Sequence, residues 1–440
     1  MLVTNMRFKK QCLPSITFLL LAVSLTVTYA TAQSHVPQEK VIIAFSATTS
    51  GPAGPSGGLI RDAAGNFYGV TQGGGLGGDG GNGTVYEVSP SANGGWTAKA
   101  IYLFHPGTQD GQGPLGGLVM DSAGNLYGTT LQGGANLCND GFDNPTGCGT
   151  AFELSPNGSG GWAEKIIYNF GQDAWAPGQS MIIDSAGNLY GTTGRSGDLD
   201  SVGGTVFELT RTGNEWTRTT LHTFGNDVGD GLGPSSPLTF DRAGNLYGET
   251  VVGGELGGGT VFRLTNTGNG AWEEQTLFNF VATSTLPSGG SEPGGGLIFD
   301  SAGNLYGTTP VGGVRLAQGC GVVFQLTPTS SGTWNENVLH EFLCNQFGFA
   351  APETALVLDS AGRLFGTTAF GGSSATGTVF GLKPSANGAF TYFVIYTFQG
   401  SPNDGLEPNS SLLLDVKGNL YGTTPQGGPN GGGTLFEIRP

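Results

Sequence analysis

The sequence contains little positive charge. Of its 440 residues, 17 are Lys or Arg and 33 are Asp or Glu, so the formal net charge is −16. A surface this acidic repels phosphate backbones, and no basic stripe of the kind that nucleic-acid binding requires is present. We therefore expect no nucleic-acid partner.

Long apolar runs are lacking beyond the N-terminus. There, Arg7, Lys9 and Lys10 precede an apolar stretch at residues 16–27, and the small residues of Ala30-Thr31-Ala32 follow. This order is typical of a secretory signal peptide, with a retained anchor as the alternative. We predict that residues 1–32 are removed and that residues 33–440 form a single domain. That domain has no run long enough to span a membrane, and we expect it to be secreted, to the periplasm or the exterior.

Glycine, in contrast, is abundant, with 82 residues, whereas charged residues make up only 11% of the chain. This composition disfavours helices and suits short strands joined by tight turns. Disorder is the alternative reading of so much glycine. It is disfavoured because apolar runs rich in Leu, Val, Tyr and Phe recur in register along the chain.

A ten-residue motif, DSAGNLYGTT in its commonest form, occurs seven times. Successive copies begin 59, 63, 57, 59, 59 and 56 residues apart, at Asp62, Asp121, Asp184, Asp241, Asp300, Asp359 and Asp415. A fixed period of this size indicates one supersecondary unit repeated many times. The glycines of residues 73–79 locally resemble a calcium-binding nonapeptide roll. The period of such a roll is far shorter than the period of this chain, which disfavours that fold.

Each repeat predicts four strands, because four runs of β-branched and aromatic residues are bounded by Gly, Pro, Asn and Ser. Between the first two, Asp-Ser-Ala-Gly predicts a type I turn whose glycine takes the left-handed conformation of a bulge. The fourth run begins and ends with aromatic residues eight positions apart, as in Trp162 and Phe170. An even spacing places both on one face of the strand, where they can pack against the next unit.

The two termini predict how the repeats are assembled. The chain ends on a third strand, at residues 434–438, and residues 40–45 resemble a fourth strand that precedes the first repeat. Pairing of the N-terminal strand into the last unit would complete seven four-stranded units. We therefore predict an all-β fold, a seven-bladed β-propeller of four-stranded antiparallel blades that the N-terminal strand closes.

This arrangement gives the two ends of the ring different characters. The Asp-Ser-Ala-Gly turns and the third-to-fourth connections are short and uniform, whereas the other end carries loops of varied length, where function usually resides. Four cysteines remain after cleavage, and an even number in an exported chain suggests disulfides. The predicted strands favour the pairs Cys138–Cys148 and Cys320–Cys344.

The motif, followed by Gly-Gly and then by Gly-Thr-Val-Phe-Glu-Leu, resembles the tandem repeats of choice-of-anchor "GloVer" proteins of bacteria. The resemblance extends from about Val41 to Pro440 and implies an exported β-propeller. More distantly, Asp-x-x-Gly-Asn-Leu-Tyr is similar to turns of NHL and gluconolactonase-like propellers, some of which are enzymes or hold metals. No catalytic residue is carried over from that similarity.

Carboxylates near the blade connections are the candidate ligand-binding residues. Asp-Gly-x-x-Pro begins at Asp110, Asp230 and Asp404, and Glu292 and Glu353 adjoin prolines in two other blades. Oxygen-rich rings at a channel mouth would suit sugar hydroxyls or Ca²⁺, although Asp-Gly and Pro also make ordinary turns. Asp140 and Asp143, between Cys138 and Cys148, are a weaker calcium candidate.

These observations favour a non-enzymatic module that acts through the variable loops and binds an extracellular glycan or protein. We expect a monomer that requires no cofactor. The alternative is a hydrolase or lyase of the gluconolactonase-like type, with carboxylates and Ca²⁺ at the channel mouth. Elemental analysis and chelation distinguish the two.

Overall fold

The computed structural model describes residues 38–46, 51–75, 81–105, 107, 109–138, 146–196, 203–282, 289–313, 320–343 and 350–440. Within these ranges the regular structure is entirely β-strand. Pro37–Pro440 forms one compact unit. The predicted signal peptide, residues 1–32, lies outside the described residues and stays a prediction, as does the calcium candidate at Asp140 and Asp143.

The strands of the described ranges are numbered in chain order. They are β1 (Gln38–Ser46), β2 (Pro52–Arg61), β3 (Phe67–Gly74), β4 (Thr84–Pro90), β5 (Trp96–Leu103), β6 (Gly111–Gln112), β7 (Val119–Met120), β8 (Leu126–Thr130), β9 (Gln132–Gly133), β10 (Leu137–Cys138), β11 (Thr146–Gly147), β12 (Thr150–Pro156), β13 (Trp162–Asn169), β14 (Ile182–Ile183), β15 (Leu189–Thr193), β16 (Thr205–Thr212), β17 (Glu215–Thr223), β18 (Gly231–Pro234) and β19 (Thr239–Phe240). They continue with β20 (Leu246–Gly253), β21 (Gly257–Gly268), β22 (Ala271–Val281), β23 (Gly290–Ser291), β24 (Ile298–Phe299), β25 (Leu305–Thr309), β26 (Val311–Gly312), β27 (Val322–Pro328), β28 (Trp334–Glu341), β29 (Val357–Leu358), β30 (Leu364–Thr368), β31 (Thr378–Pro384), β32 (Phe390–Thr397), β33 (Gly405–Leu406), β34 (Leu413–Leu414), β35 (Leu420–Thr424), β36 (Gln426–Gly427) and β37 (Gly431–Arg439).

Six antiparallel sheets, blades 1 to 6, repeat one pattern along the chain, in which each strand pairs with the next. Their orders are β2-β3-β4-β5, β7-β8-β12-β13, β14-β15-β16-β17, β19-β20-β21-β22, β24-β25-β27-β28 and β29-β30-β31-β32; β18 also pairs with β20. The second and third strands supply most of the fully buried side chains, as the β-branched and aromatic sequence predicts.

Blade 7 is completed by the N-terminal strand, as the sequence predicts. Its order is β34-β35-β37-β1, and β1 pairs antiparallel with β37, with Val41 opposite Phe436 and Lys40 opposite Glu437. Phe45, at the end of β1, is 2% exposed and its ring packs 5.0 Å from that of Tyr86 in blade 1. The first and last parts of the chain therefore meet in one sheet.

The blades form a closed ring. Seven hydrophobic clusters each join two neighbouring blades, and the cluster of Phe45, Phe67 and Tyr421 joins blade 7 to blade 1. Aromatic contacts between neighbours recur within these clusters: the motif tyrosine of one blade meets the first aromatic of the next blade's fourth strand, as with Tyr68 and Trp162 at 5.8 Å. The chain is therefore a seven-bladed β-propeller.

A second contact recurs at all seven junctions. A glycine directly before the first threonine or valine of each third strand lies against a proline of the next blade, and a Cβ on Gly204 would come 2.6 Å from Cδ of Pro234. The pairs are Gly83–Pro114, Gly149–Pro177, Gly204–Pro234, Gly259–Pro293, Gly321–Pro352, Gly377–Pro408 and Gly433–Pro55. The last pair again joins blade 7 to blade 1.

The two ends of the ring differ in their connections. The short-turn face carries the seven anchor turns and the third-to-fourth hairpins, and the loop face carries the second-to-third loops and the connections between blades. On the loop face, the predicted disulfide Cys138–Cys148 is confirmed, with the Cα atoms 5.0 Å apart. Cys344 lies outside the described residues, so the pair Cys320–Cys344 stays a prediction.

Candidate functional site

Asp110 closes the connection between blades 1 and 2. Its carboxylate accepts hydrogen bonds from the backbone N–H groups of His105 and Gly111, both at 2.7 Å, and from the hydroxyl of Tyr102 at 2.9 Å. Tyr102 belongs to the outermost strand of blade 1. Asp110 is therefore positioned by backbone and side-chain donors at the rim of the ring.

Asp404 and Asp230 occupy the equivalent places at two other junctions. Asp404 accepts from the Tyr396 hydroxyl at 2.9 Å and from the backbone N–H of Gln399 at 2.6 Å. Asp230 lies 3.5 Å from Nε2 of His222. These contacts support the turn interpretation of the three aspartates, and their role as ligand residues stays a prediction.

Each of these aspartates faces a second carboxyl on the outermost strand of the next blade, which the sequence pattern did not indicate; for Asp230 it is Glu274. Burial, and then the charge of Asp110, raise the pKa of Glu164 to about 7. Burial and the charge of Asp404 raise the pKa of Glu39, on the closing strand, to about 7. The partners are separated widely in the sequence, and it is the outer-strand register that brings them together.

The remaining predicted acids, Glu292 and Glu353, are exposed. Glu292 has a φ of 60°, a left-handed conformation that glycine adopts at the same place in three other blades, and Glu407 shares it with a φ of 59°. Burial by the surrounding protein raises the pKa of Glu353, although its side chain reaches solvent. The two predicted glutamates lie in neighbouring blades, and a ligand at them stays a prediction.

The anchor aspartates organise the short-turn face. In Asp121, Oδ1 accepts from the backbone N–H groups of Ala123 and Asn125, both at 2.9 Å, and Oδ2 accepts from the Asn125 amide and the Tyr127 hydroxyl. Burial opposes the charge, but these hydrogen bonds outweigh it and lower the pKa of Asp121. The same arrangement at Asp241 and Asp300 makes those turns rigid.

An open cleft lies on the short-turn face between blades 4 and 5. We call it the 4/5 cleft, and its volume is about 470 Å³. Its walls are mainly apolar. They consist of Phe240, Asp241, Arg242, Ala243, Tyr247, Phe299, Asp300, Ser301, Ala302, Gly303, Pro328 and Trp334.

At the 4/5 cleft the motif tyrosine has no ring contact with the first aromatic of the next fourth strand. In blades 1, 2, 3 and 5 the motif tyrosine touches the first aromatic of the next fourth strand, as Tyr127 touches Trp216 at 5.9 Å. Tyr247 instead packs at 5.0 Å and 88° against Phe299, from the innermost strand of blade 5. Trp334 therefore remains as the outer wall of the cleft. The sequence signal for this was Phe299, where most other blades carry aliphatic residues or Arg61. Its counterpart in blade 4, Phe240, packs at 5.3 Å against Tyr190 of blade 3.

The polar groups of the cleft differ in whether they are free to form hydrogen bonds with a ligand. Asp241 accepts from the backbone of Ala243 and Asn245, from the Asn245 amide at 2.7 Å and from the Tyr247 hydroxyl at 3.1 Å. Arg242 is exposed, and within the described ranges its guanidinium has no hydrogen-bond or ion-pair partner. The cleft thus offers a free donor, while its carboxylates are occupied.

The described residues contain neither a metal-binding cluster nor a membrane-spanning helix. No group of three or more His, Cys, Asp or Glu side chains in these ranges could hold a metal ion. Across the same residues, no helix is long and apolar enough to cross a membrane.

A family model described as the Gloeobacter/Verrucomicrobia repeat matches residues 137–342 and 314–440. The two matches together cover more than half of the chain. No curated protein matches it significantly.

The solved structures to which the chain is similar share little sequence with it. One, from Bacteroides uniformis ATCC 8492 and described as a "putative 6-phosphogluconolactonase", is 13% identical with a TM-score of 0.47, covering 77% of this chain and 84% of that one. A protein of unknown function from Dyadobacter fermentans DSM 18053 is 14% identical with a TM-score of 0.42, covering 81% and 98%. A protein from Lactobacillus plantarum is 13% identical with a TM-score of 0.47, covering 81% and 95%.

Proposed function

The chain belongs to the Gloeobacter/Verrucomicrobia repeat family, and from this premise we propose that it is an exported, non-enzymatic binding module. In this proposal the 4/5 cleft holds a sugar residue of an extracellular glycan. The observation that carries the proposal is the aromatic opening between Tyr247, Phe299 and Trp334. A largely apolar concave site with a few placed polar groups is the usual form of a small-ligand site.

The cleft suits a sugar because of its walls and its rigidity. One face of a pyranose ring presents C–H groups, which pack on aromatic rings such as Phe240 and Phe299. The turns that hold Asp241 and Asp300 are fixed by internal hydrogen bonds. A preformed site lowers the entropic cost of binding.

Export is supported by the disulfide Cys138–Cys148, because such bonds persist in oxidising compartments. The predicted signal peptide at residues 1–32 agrees with this. The proposed site differs from the expectation drawn from the sequence in one respect, since it lies on the short-turn face and not among the variable loops.

A glycan array probed with residues 33–440 tests the proposal. Phe299→Leu and Phe240→Ile place in the cleft the residues that blades 6 and 3 carry at the same position. We expect glycan binding to fall at least about tenfold with either change. Met120→Leu, at the same position of blade 2, is the matched control.

The outcomes separate the two faces of the molecule. If all three variants bind as the unmodified chain does, the cleft is not the binding site. Glu292→Gln with Glu353→Gln alters the loop face alone, and we expect it to leave binding in the cleft unchanged. Loss of binding in this double variant alone would favour the loop-face prediction instead.

A further inference from the structure

Blade 4 carries two arginines beside the 4/5 cleft where other blades have neutral or acidic residues. Arg242 follows the anchor aspartate, a position that holds Ser, Ala or Val elsewhere. Arg263 lies opposite Tyr247 in β21, and four of the other six blades have Glu at that place. This junction therefore carries positive charge at two positions where most other blades have a neutral or acidic residue.

The two arginines are incompletely paired. Arg263 donates to Oε1 of Gln275 at 2.6 Å, but its Nε is buried and has no hydrogen-bond partner. The guanidinium of Arg242 has no partner among the described residues and projects at the cleft wall. A buried donor without an acceptor is costly, and an exposed guanidinium prefers a planar, bidentate acceptor.

The carboxylates of the cleft do not offer what a neutral sugar needs. Asp300 accepts from the backbone N–H groups of Ala302 and Asn304, from the Asn304 amide and from the Tyr306 hydroxyl. Two ionised oxygens have about four acceptor positions, and here all are taken. Sugar hydroxyls that act as donors would find no acceptor at Asp300, whereas a ligand that brings its own acceptor finds Arg242.

We propose that the sugar bound in the 4/5 cleft is a uronic acid residue. The inference rests on the proposed function. The pyranose ring packs among Phe240, Phe299 and Trp334, and its carboxylate pairs with the guanidinium of Arg242. Arg263, opposite Tyr247 in β21, adds a positive field that also favours a negatively charged ligand. The glycan is then an acidic polysaccharide rather than a neutral one.

Isothermal titration calorimetry of residues 33–440 tests the inference with trisaccharides of galacturonate, glucuronate and mannuronate. The fully methyl-esterified form of each is the matched ligand, because it keeps the ring and removes the charge. We expect at least one acid to bind, and its ester to bind about tenfold or more weakly.

Arg242→Ser, which installs the residue of most other blades, should weaken binding of the acid to the level of the ester. It should leave binding of the ester unchanged, because the ester lacks the carboxylate charge with which the guanidinium of Arg242 pairs. Lys417→Ser removes a cation from the equivalent turn of blade 7 and is the control. Equal binding of acid and ester, no binding of any acid, or an unaltered Arg242→Ser variant would overturn the inference.

Phe299→Leu separates the failure of this inference from the failure of the proposed function. If a neutral sugar binds and Phe299→Leu abolishes that binding, the cleft is a glycan site but not a uronate site. If benzoate competes with the acid trisaccharide and binds more tightly, the ligand is an aromatic carboxylate and the sugar assignment is wrong.

Discussion

Glu249 replaces the threonine that five other blades carry at the same position of the second strand. Its side chain is fully buried; Oε2 accepts from the backbone N–H of Gly296 at 2.8 Å, while Oε1 has no partner. Gly307 of the next blade leaves room for the longer side chain, because an added Cβ there would come 3.1 Å from Oε1 of Glu249. Burial raises the pKa of Glu249 to about 8, so the folded protein holds this carboxyl in its neutral form.

Glu249→Thr is expected to stabilise the protein increasingly as the pH rises. The unfolded chain releases this proton near the usual value of 4.5, whereas the folded chain retains it to about 8, so the glutamate costs stability between these values. We expect a gain of about 2–4 kcal/mol in the free energy of unfolding at pH 8 and little gain at pH 4. Denaturant titrations at both pH values measure it.

Glu249→Gln keeps the size of the side chain and serves as the control for packing. Its stability should depend on pH as that of Glu249→Thr does, although the volume of the side chain is unchanged. A pH dependence equal to that of the unmodified chain in both variants would contradict the assignment of a neutral buried carboxyl.

At the scale of the structural element, the junction between blades depends on backbone contacts as much as on side chains. The repeated glycine at the start of each third strand approaches both a carbonyl oxygen of its own blade and the proline ring of the next. Gly204, for example, has a φ of 88° and leaves 2.4 Å between an added Cβ and the carbonyl oxygen of Thr193. No residue with a Cβ fits without separation of the two blades.

Gly204→Ala should therefore destabilise the protein by about 2–4 kcal/mol. Gly187 provides a matched control, because it also has a φ of 88° but nothing within 4 Å of an added Cβ. Gly187→Ala should cost only about 1–2 kcal/mol, the cost of the left-handed backbone alone. Thermal unfolding of the two variants measures the difference, and equal losses would show that the contact with Pro234 contributes nothing.

Elements governed by local chemistry or by the repeat pattern were predictable from the sequence, the closing strand included, whereas contacts particular to one junction were not. The turn at Asp121 was predictable because its donors, Ala123 and Asn125, lie within four residues. The pairing of Glu164 with Asp110 depends on how two outer strands align. The 4/5 cleft depends on which ring Tyr247 meets, a choice that the repeat pattern leaves open.

At the scale of the whole molecule, two groups of carboxyls act in opposite pH ranges. Hydrogen bonds lower the pKa of four anchor aspartates against the effect of burial, so their contribution is present above about 3.8 and is lost as the pH falls. The four are Asp121, Asp241, Asp300 and Asp415. The raised pKa values of Glu39, Glu164 and Glu249 cost stability as the pH rises from 4.5 to about 7 or 8.

We accordingly expect maximum thermal stability near pH 4–5, with a decline towards pH 8. Melting temperatures between pH 3 and 9 measure this profile. Glu164→Gln should flatten the decline, whereas Glu273→Gln, which removes an exposed carboxylate from the same kind of strand, should not. Stability that is constant or rising between pH 5 and 8 would contradict the account.

The closed ring is the feature on which all of these positions depend. Because β1 is the outermost strand of blade 7, it joins the first described strand to the last one, and its residue Glu39 faces Asp404 across the junction with blade 6. Without this pairing, β37 would become the exposed edge strand of blade 7, and the junction with blade 1 would lose Phe45.

Cysteine cross-linking of the closing strand tests this central claim most directly. Lys40 and Glu437 lie opposite each other in the β1–β37 register. The variant Lys40→Cys with Glu437→Cys should form that disulfide on mild oxidation, as peptide mapping would show, and should unfold at a higher temperature when oxidised than when reduced. Lys40→Cys with Thr97→Cys, on the outer strand of blade 1, should not cross-link. If the first variant keeps both introduced thiols free while the second forms its disulfide, closure of the ring by the N-terminal strand is contradicted.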